Sequence, residues 1–257
     1  MKFLSFGFIL VLLVSCGQKQ SFQSVNSLSF DEGQITLGFS LLPRLASDSL
    51  VVNSEKSATA GQLDELIGEF QKLSSSMPDS AWNFINKGWT DFEKNKSQLL
   101  SDTMANSRII LQKWSELNMN LLKLTGEVRF GDALESLIYD SPEAVLSEGA
   151  LKSVIYTHVY DQIFVNLFGS SSLTHQHTTG GTIKLTQETK FPESNEIMLK
   201  CECSDTRYLD VFIRIPAWAA NPTVNHGNVK YVARPGEYCQ ISRKWKNGDV
   251  FVIRLKN

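Results

Sequence analysis

The spacing of apolar residues changes period once along this chain, and that change limits the fold more than any single motif. Up to about residue 158, apolar side chains recur at three- and four-residue intervals: Leu63, Leu66, Ile67, Phe70 and Leu73, then Trp82, Ile85, Trp89 and Phe92, then Ile110, Trp114, Leu117, Leu121 and Leu124. Each stripe predicts an amphipathic helix. Thr59-Ala60-Gly61-Gln62 fits a capping box before the first, Pro78-Asp79-Ser80 is a start signal for the second, and Gly126 suits a left-handed cap after the third. Asp132 to Tyr139 and Pro142 to Val154 read as two further helices, the second opened by Pro142 in its first turn.

From Tyr160 onward the pattern becomes β-branched and aromatic. Strands are predicted over 163–168, 182–191, 196–203, 208–215, 228–233, 238–243 and 250–255, separated by Gly180-Gly181, Pro192, Asp205, Pro222, Pro235-Gly236 and Asn247-Gly248-Asp249. Seven short strands at near-regular spacing predict a sandwich or jelly roll. The fold class is therefore α+β, an N-terminal helical segment (58–158) followed by an antiparallel β-sandwich (159–257).

The first residues carry a different signal. Lys2 precedes an apolar run from Phe3 to Val14, which ends at Ser15-Cys16 and gives way to Gln18-Lys19-Gln20. That run is shorter than the ~20 apolar residues a spanning helix needs and has the build of a secretory signal. Leu13-Val14-Ser15-Cys16 resembles a lipobox, so residues 1–15 are expected to be a lipoprotein signal peptide and Cys16 the lipid attachment site. Several acyl chains, at ~0.8 kcal/mol per buried methylene, would then hold the protein on a membrane, by default as an outer-membrane lipoprotein facing the periplasm. Residues 16–57 read as a tether with a short extended segment.

Net charge is −2, with both signs mixed along the chain, which argues against a nucleic-acid partner. Cys201, Cys203 and Cys239 cannot all pair with one another. Cys201 and Cys203, two apart on a strand, share a face, so either is a candidate to meet Cys239 on a neighbouring strand; three small buried hydrophobes is the alternative. His175-Gln176-His177 would aim two imidazoles in one direction on a strand, but too few further ligands are placed for zinc, and a solvated loop between Ser170 and Gly181 is expected. No phosphate-cradling glycine loop and no Gly-x-Ser-x-Gly elbow occurs. Glu65, Glu69, Glu143, Glu148 and Glu188 read as solvated charges rather than a catalytic carboxylate pair. Trp218 and Trp245 are candidate glycan contacts, because an indole face stacks on the C–H face of a sugar, although core packing competes at both. Trp82, Trp89 and Trp114 sit at core spacing. No cofactor, catalytic residue or metal ligand is assigned.

Four ordered blocks carry a resemblance: Ile163-Phe164-Val165-Asn166-Leu167-Phe168; Lys184-Leu185-Thr186-Gln187-Glu188-Thr189-Lys190-Phe191-Pro192; Phe212-Ile213-Arg214-Ile215-Pro216-Ala217-Trp218-Ala219; and Arg234-Pro235-Gly236-Glu237-Tyr238 with Lys244-Trp245-Lys246-Asn247-Gly248-Asp249-Val250. They resemble the C-terminal part of the β-L-arabinofuranosidase glycoside hydrolase family. Upstream, residues 120–135 are similar to the late helices of that family's (α/α)6 barrel, so the resemblance spans about 117–255. It implies a sandwich kept and a barrel reduced to a remnant of about five helices. It also implies a cysteine-rich zinc site with a nucleophilic cysteine, whose Cys-Cys pair belongs between the late barrel helices and the first sandwich strand. Residues 139–162 contain no cysteine, so no catalytic or metal position carries over.

Three functions stay open at this point. One is a non-catalytic, membrane-tethered accessory or degenerate protein of glycan metabolism with a polysaccharide ligand. The second is an active glycoside hydrolase acting on arabinofuranosides with relocated groups. The third is a scaffold lipoprotein whose helices bind an envelope protein partner.

Overall fold

The computed structural model describes residues 35–37, 58–71, 79–101, 107–140 and 146–256. Five helices are described: α1 (Ala58–Gln71), α2 (Asp79–Ser101), α3 (Ser107–Thr125), α4 (Val128–Asp140) and α5 (Glu148–Ile155). The proposed signal peptide and Cys16 lie outside the described residues, as does Pro142.

The predicted stripes form the buried faces of α1, α2 and α3, with Phe70 and Leu124 half-buried at their margins and Leu73 outside the described residues. Leu63, Ile85, Ile110, Trp114, Leu117 and Leu121 are fully enclosed, and α3 packs against both α1 and α4. Rings fill the space between helices: Trp89 stacks on Trp114 at 5.6 Å, Phe92 sits 4.4 Å from Trp114, and Phe130 meets Trp89 edge-on at 5.2 Å. The Trp89 indole N–H donates to Asn118 Oδ1 at 2.7 Å, so a polar edge is satisfied inside the cluster. Helix α3 stops where expected. Gly126 turns left-handed at φ 64°, and its N–H closes on the Leu122 carbonyl at 2.8 Å. The last helix starts later than Pro142 suggests: Ser147 is its N-cap, accepting from the Ala150 N–H.

Eleven strands are described: β1 (Ile35–Leu37), β2 (Tyr156–Val159), β3 (Gln162–Val165), β4 (Ser171–Gln176), β5 (Thr182–Thr189), β6 (Glu196–Cys203), β7 (Arg207–Arg214), β8 (Thr223–His226), β9 (Val229–Tyr231), β10 (Tyr238–Trp245) and β11 (Val250–Arg254). They form a seven-stranded sheet, β1-β4-β5-β6-β11-β8-β9, and a four-stranded sheet, β10-β7-β3-β2. All pairings are antiparallel except β3 with β7, which run parallel. Alternation gives each sheet its inner face: Ile183 and Leu185, Ile197 and Leu199, Leu209, Val211 and Ile213, and Ile241 are buried between the sheets.

Two features depart from the sequence reading. The sandwich begins at Tyr156 rather than 159, because α5 passes into β2 with an extended Tyr156 (φ −123°) and no intervening loop. The expected solvated loop from Ser170 to Gly181 is instead strand β4, pairing with β5 and β1, and only 177–181 forms a turn. Its inward residues are Ser171, Leu173 and His175, and two of the three are polar. Hydrogen bonds offset that burial: Ser171 Oγ and Tyr156 Oη lie 2.9 Å apart, Gln187 donates to Tyr156 Oη at 3.1 Å, and His175 pairs with Asp161. Burial pushes the Tyr156 phenol up to about 12, so it stays protonated and part of this network.

Candidate functional site

The densest polar constellation sits where α4 meets the end of β7. Arg214 is fully buried. Its guanidinium pairs with Asp132 and Glu135 of α4, and its Nε donates to the Asn166 backbone carbonyl. Beyond the carboxylates, Trp218 Nε1 donates to Glu135 Oε1 at 2.8 Å and the Ala217 N–H donates to Asp132 Oδ2 at 3.0 Å. Asn166 is anchored in turn, donating to the Val154 carbonyl at 2.9 Å and accepting from Tyr238 Oη at 2.6 Å.

Local sequence explains the assembly. The end of β7 exits at Ile215-Pro216-Ala217, where the chain leaves the ladder and frees an N–H for Asp132. Residues 132 and 135 are three apart, which places both carboxylates on one face of α4. Gly131 lets the Arg214 stem pass, since a Cβ there would lie 2.7 Å from Arg214 Cδ. Burial pushes the Glu135 carboxyl above its usual range, against the pull of Arg214 and the Trp218 N–H. These internal pairings make the group a clamp between helices and sandwich.

Trp218 and Trp245 separate on inspection of their surroundings. Trp245 is fully buried, its ring tilted against Phe251 at 4.5 Å and its N–H donated to the Leu209 carbonyl at 3.2 Å. It presents no face to a glycan, which corrects that candidate: its inward position on β10 puts the ring in the core. Trp218 is 40 % exposed. Phe191 lies parallel to it at 6.1 Å, and Lys256 Nζ sits 5.1 Å from its ring centroid, so its faces are partly covered.

His175 of β4 and His177 just beyond it converge on Asp161 in the β2–β3 turn. His175 Nε2 lies 3.0 Å from Asp161 Oδ1 and His177 Nε2 3.4 Å from Oδ2. Thr178 donates to the same carboxylate through both its backbone N–H and its hydroxyl. Partial burial would raise this carboxyl, but the Thr178 and His175 hydrogen bonds and the nearby His177 outweigh it and hold it below the usual carboxylate range. His177 is already committed at both nitrogens: Nε2 to the Tyr208 carbonyl at 2.9 Å, and Nδ1 accepting from the Thr179 N–H at 3.1 Å. Among the described residues no group of three or more His, Cys, Asp or Glu is arranged to hold a metal.

The cysteines do not make a bridge or a cysteine-rich zinc site. Cys201 and Cys203 lie on β6 of the large sheet and Cys239 on β10 of the small one, and all three are free thiols. They are not on neighbouring strands as the disulfide alternative requires. Burial pushes the Cys201 and Cys239 thiols up to about 12, Cys201 with a further contribution from Cys203, which leaves both far from thiolate character. Cys203 borders a shallow, open depression of about 360 Å³ lined also by Thr174, Lys184, Glu202 and Asn247.

Sequence reasoning missed Arg214, Asp132, Glu135 and Asp161 as interacting groups. The carboxylates of Arg214 are 79 and 82 residues away and the side chains that hold Asp161 are 14 to 17 away, and no local spacing encodes such pairs. An arginine inside an otherwise apolar strand end, Phe212-Ile213-Arg214-Ile215, was the available signal, because an inward charge requires partners.

Comparison with known proteins bears on the sandwich. Residues 162–256 match the family model described as the β-L-arabinofuranosidase GH127 middle domain. No curated protein matches the sequence. A solved structure titled glycoside hydrolase superposes with a TM-score of 0.51 at 18% identity, covering 58% of this chain and 32% of that one. A GH127 β-L-arabinofuranosidase from Geobacillus stearothermophilus T6 gives 0.47 at 17%, covering 57% and 31%, and another GH127 β-arabinofuranosidase gives 0.49 at 21%, covering 57% and 31%. The chain thus spans about a third of the length of the solved structures it matches. The upstream helical block 120–135 falls outside the residues that the family model matches. The match, over the stretch that holds strands β3 to β11 of the two facing sheets, relates residues 162–256 to the middle domain of the GH127 β-L-arabinofuranosidases.

Proposed function

We propose that this protein is a non-catalytic, glycan-associated accessory protein related to the β-L-arabinofuranosidases, tethered to the outer membrane through a lipid on Cys16 and facing the periplasm. The observation that carries the reading is the pairing of a retained GH127-type sandwich with thiols held in two different sheets, the buried ones far above neutral pH. An attack on an anomeric carbon needs an activated nucleophile and a partner acid. The two carboxylates that converge at the α4–β7 seam, Asp132 and Glu135, are locked onto Arg214.

The test has two arms. The soluble protein starting at Ser21, supplemented with zinc, is incubated with an aryl β-L-arabinofuranoside, and no release above the uncatalysed rate is expected. In parallel, calorimetric titration with arabinan, arabinogalactan and pectin fragments is expected to detect binding to at least one. Turnover in the first arm abolished by Cys203→Ala would replace this reading with an active hydrolase; silence in the second would leave no glycan association. Metabolic labelling with a radiolabelled fatty acid tests the tether, with incorporation expected in the intact precursor and lost in Cys16→Ala.

A further inference from the structure

The three free thiols differ in their surroundings, and two of them share one strand. In the ladder of β6 with β5, Cys201 stands opposite Leu185 and Cys203 opposite Ile183, and both partners are fully buried. Residues two apart on a strand share a face, so both thiols point toward the inner side of the sheet. Cys201 is buried, whereas Cys203, at the end of the strand, is half-buried and borders the shallow depression beside Lys184, Glu202 and Asn247. Cys203 thus opens to solvent with Cys201 next behind it.

The backbone under the pair is held in place. The Cys201 N–H donates to the Asp249 carbonyl at 2.9 Å, its carbonyl accepts from the Gly248 N–H at 2.9 Å, and the Cys203 N–H donates to Asn247 Oδ1 at 3.2 Å. A strand rises about 3.3 Å per residue, which sets the two Cα atoms about 6.6 Å apart with their Cβ atoms side by side. A disulfide needs Cβ atoms about 4 Å apart, so closing one here would bend a strand that the β10–β11 turn keeps straight. A metal ion held in line between two sulfurs asks for less: two metal–sulfur bonds separate them by roughly 4–5 Å, which parallel side chains reach by leaning together.

Charge and donor type narrow the choice of ion. Burial, and after it the neighbouring Cys203 sulfur, oppose ionisation of Cys201; a cation shared by the two sulfurs removes that mutual repulsion. Two soft donors form the set, and among the described residues no third His, Cys, Asp or Glu joins them. Zinc takes three or four protein ligands, whereas thiolates alone suit Cu(I). The Cys203 sulfur also lies 4.0 Å from the Trp245 carbonyl, so the pair is enclosed by the facing sheet on its inner side.

We propose that Cys201 and Cys203 form a two-coordinate site for a soft monovalent cation, Cu(I), at the end of β6. The ion is delivered by a small thiol carrier and exchanges ligand by ligand, first onto Cys203 at the depression and then onto Cys201 behind it. Each protein thiol gives up its proton as its sulfur bonds the metal, the carrier leaves as the thiol, and no electron is transferred. The site does not depend on the glycan-associated reading above.

Anaerobic titration of the reduced full-length chain carrying Cys16→Ser with Cu(I), against a chromogenic bicinchoninate competitor, tests it. One Cu(I) per chain is expected, with Cys201 and Cys203 protected from alkylation and Cys239 not. Affinity is expected to fall by about a hundred-fold or more in Cys201→Ser and in Cys203→Ser, to hold in Cys239→Ser, and to rise with pH because binding displaces protons. X-ray absorption at the copper edge is expected to show two sulfur neighbours, and it gives the answer if near-UV circular dichroism finds Cys201→Ser unfolded. Cu(I) affinity unchanged in Cys203→Ser, a loss in Cys239→Ser, three or more ligands on copper, or Zn(II) held as tightly as Cu(I) overturns the site, and none of these outcomes bears on glycan binding.

Discussion

Arg214 and Gly131 show how a single residue fixes the relation between the two parts of the molecule. Alanine normally favours a helix interior over glycine by about 1 kcal/mol. At position 131 the sign reverses, because the new Cβ would meet Arg214 Cδ at 2.7 Å and that side chain is pinned along its length by Asn166, Asp132 and Glu135. Gly131→Ala is therefore expected to destabilise the protein by about 1–3 kcal/mol in urea unfolding, the usual cost of overpacking; a stabilised variant would show that the clamp yields. Arg214→Ala removes the counter-charge from two carboxylates, one of them Glu135 at 5 % side-chain exposure. A loss of about 3–5 kcal/mol is expected in the same measurement. None of this was visible in the sequence beyond an arginine among apolar residues, since ion pairs across about eighty residues leave no local trace.

At the scale of elements, legibility followed burial. Helices α2 and α3 and strands β5, β6, β7 and β11 were readable because most of their inward residues are Leu, Ile, Val, Trp and Phe at the proper period. Strand β4 was hidden because Ser171 and His175 occupy inward positions, and their burial depends on Tyr156, Gln187 and Asp161, which a pattern along β4 cannot contain. Strand β8 offers a single buried side chain, Val224, too little for a period. The same polar burial makes β4 and the β2–β3 turn sensitive to acid. Asp161 has a depressed carboxyl pKa, so its contribution to stability is present above the ordinary carboxylate range and lost as pH falls through its lowered value. His158, whose ring lies 5.2 Å from that of His175, is held below the usual imidazole range by burial and by that neighbour. The unfolded chain then binds a proton more readily than the folded one, so stability falls as pH drops below the ordinary histidine value. Urea midpoints are expected to decline from neutral toward mildly acidic pH in the unaltered protein. His158→Gln is expected to flatten the upper part of that decline and Asp161→Asn the lower part; unchanged slopes in both would remove these groups from the acid response.

For the whole molecule, the decisive question is whether helices and sandwich are two folding units or one. Their apolar residues form a single connected core: α4 and α5 contribute Leu134, Leu137, Leu151 and Val154, and the sandwich contributes Phe168, Leu173 and Phe191. Tyr139 of α4 donates its hydroxyl to the Phe168 carbonyl at 2.8 Å and meets Phe191 edge-on at 5.1 Å. The Arg214 clamp adds charge to the same seam. Exposing such a seam uncovers apolar surface at about 25 cal/mol per Å² together with buried charge, so partial unfolding is disfavoured. Thermal unfolding followed by far-ultraviolet dichroism, dominated by the helices, and by near-ultraviolet dichroism of a variant retaining only Trp245, which reports the sandwich, is accordingly expected to give coincident transitions. In Arg214→Ala the seam loses its ionic part while each side keeps its own packing, and the helical signal is expected to melt first. Separate transitions already present in the unaltered protein would mean that the sandwich stands on its own and that the clamp merely docks the helices onto it.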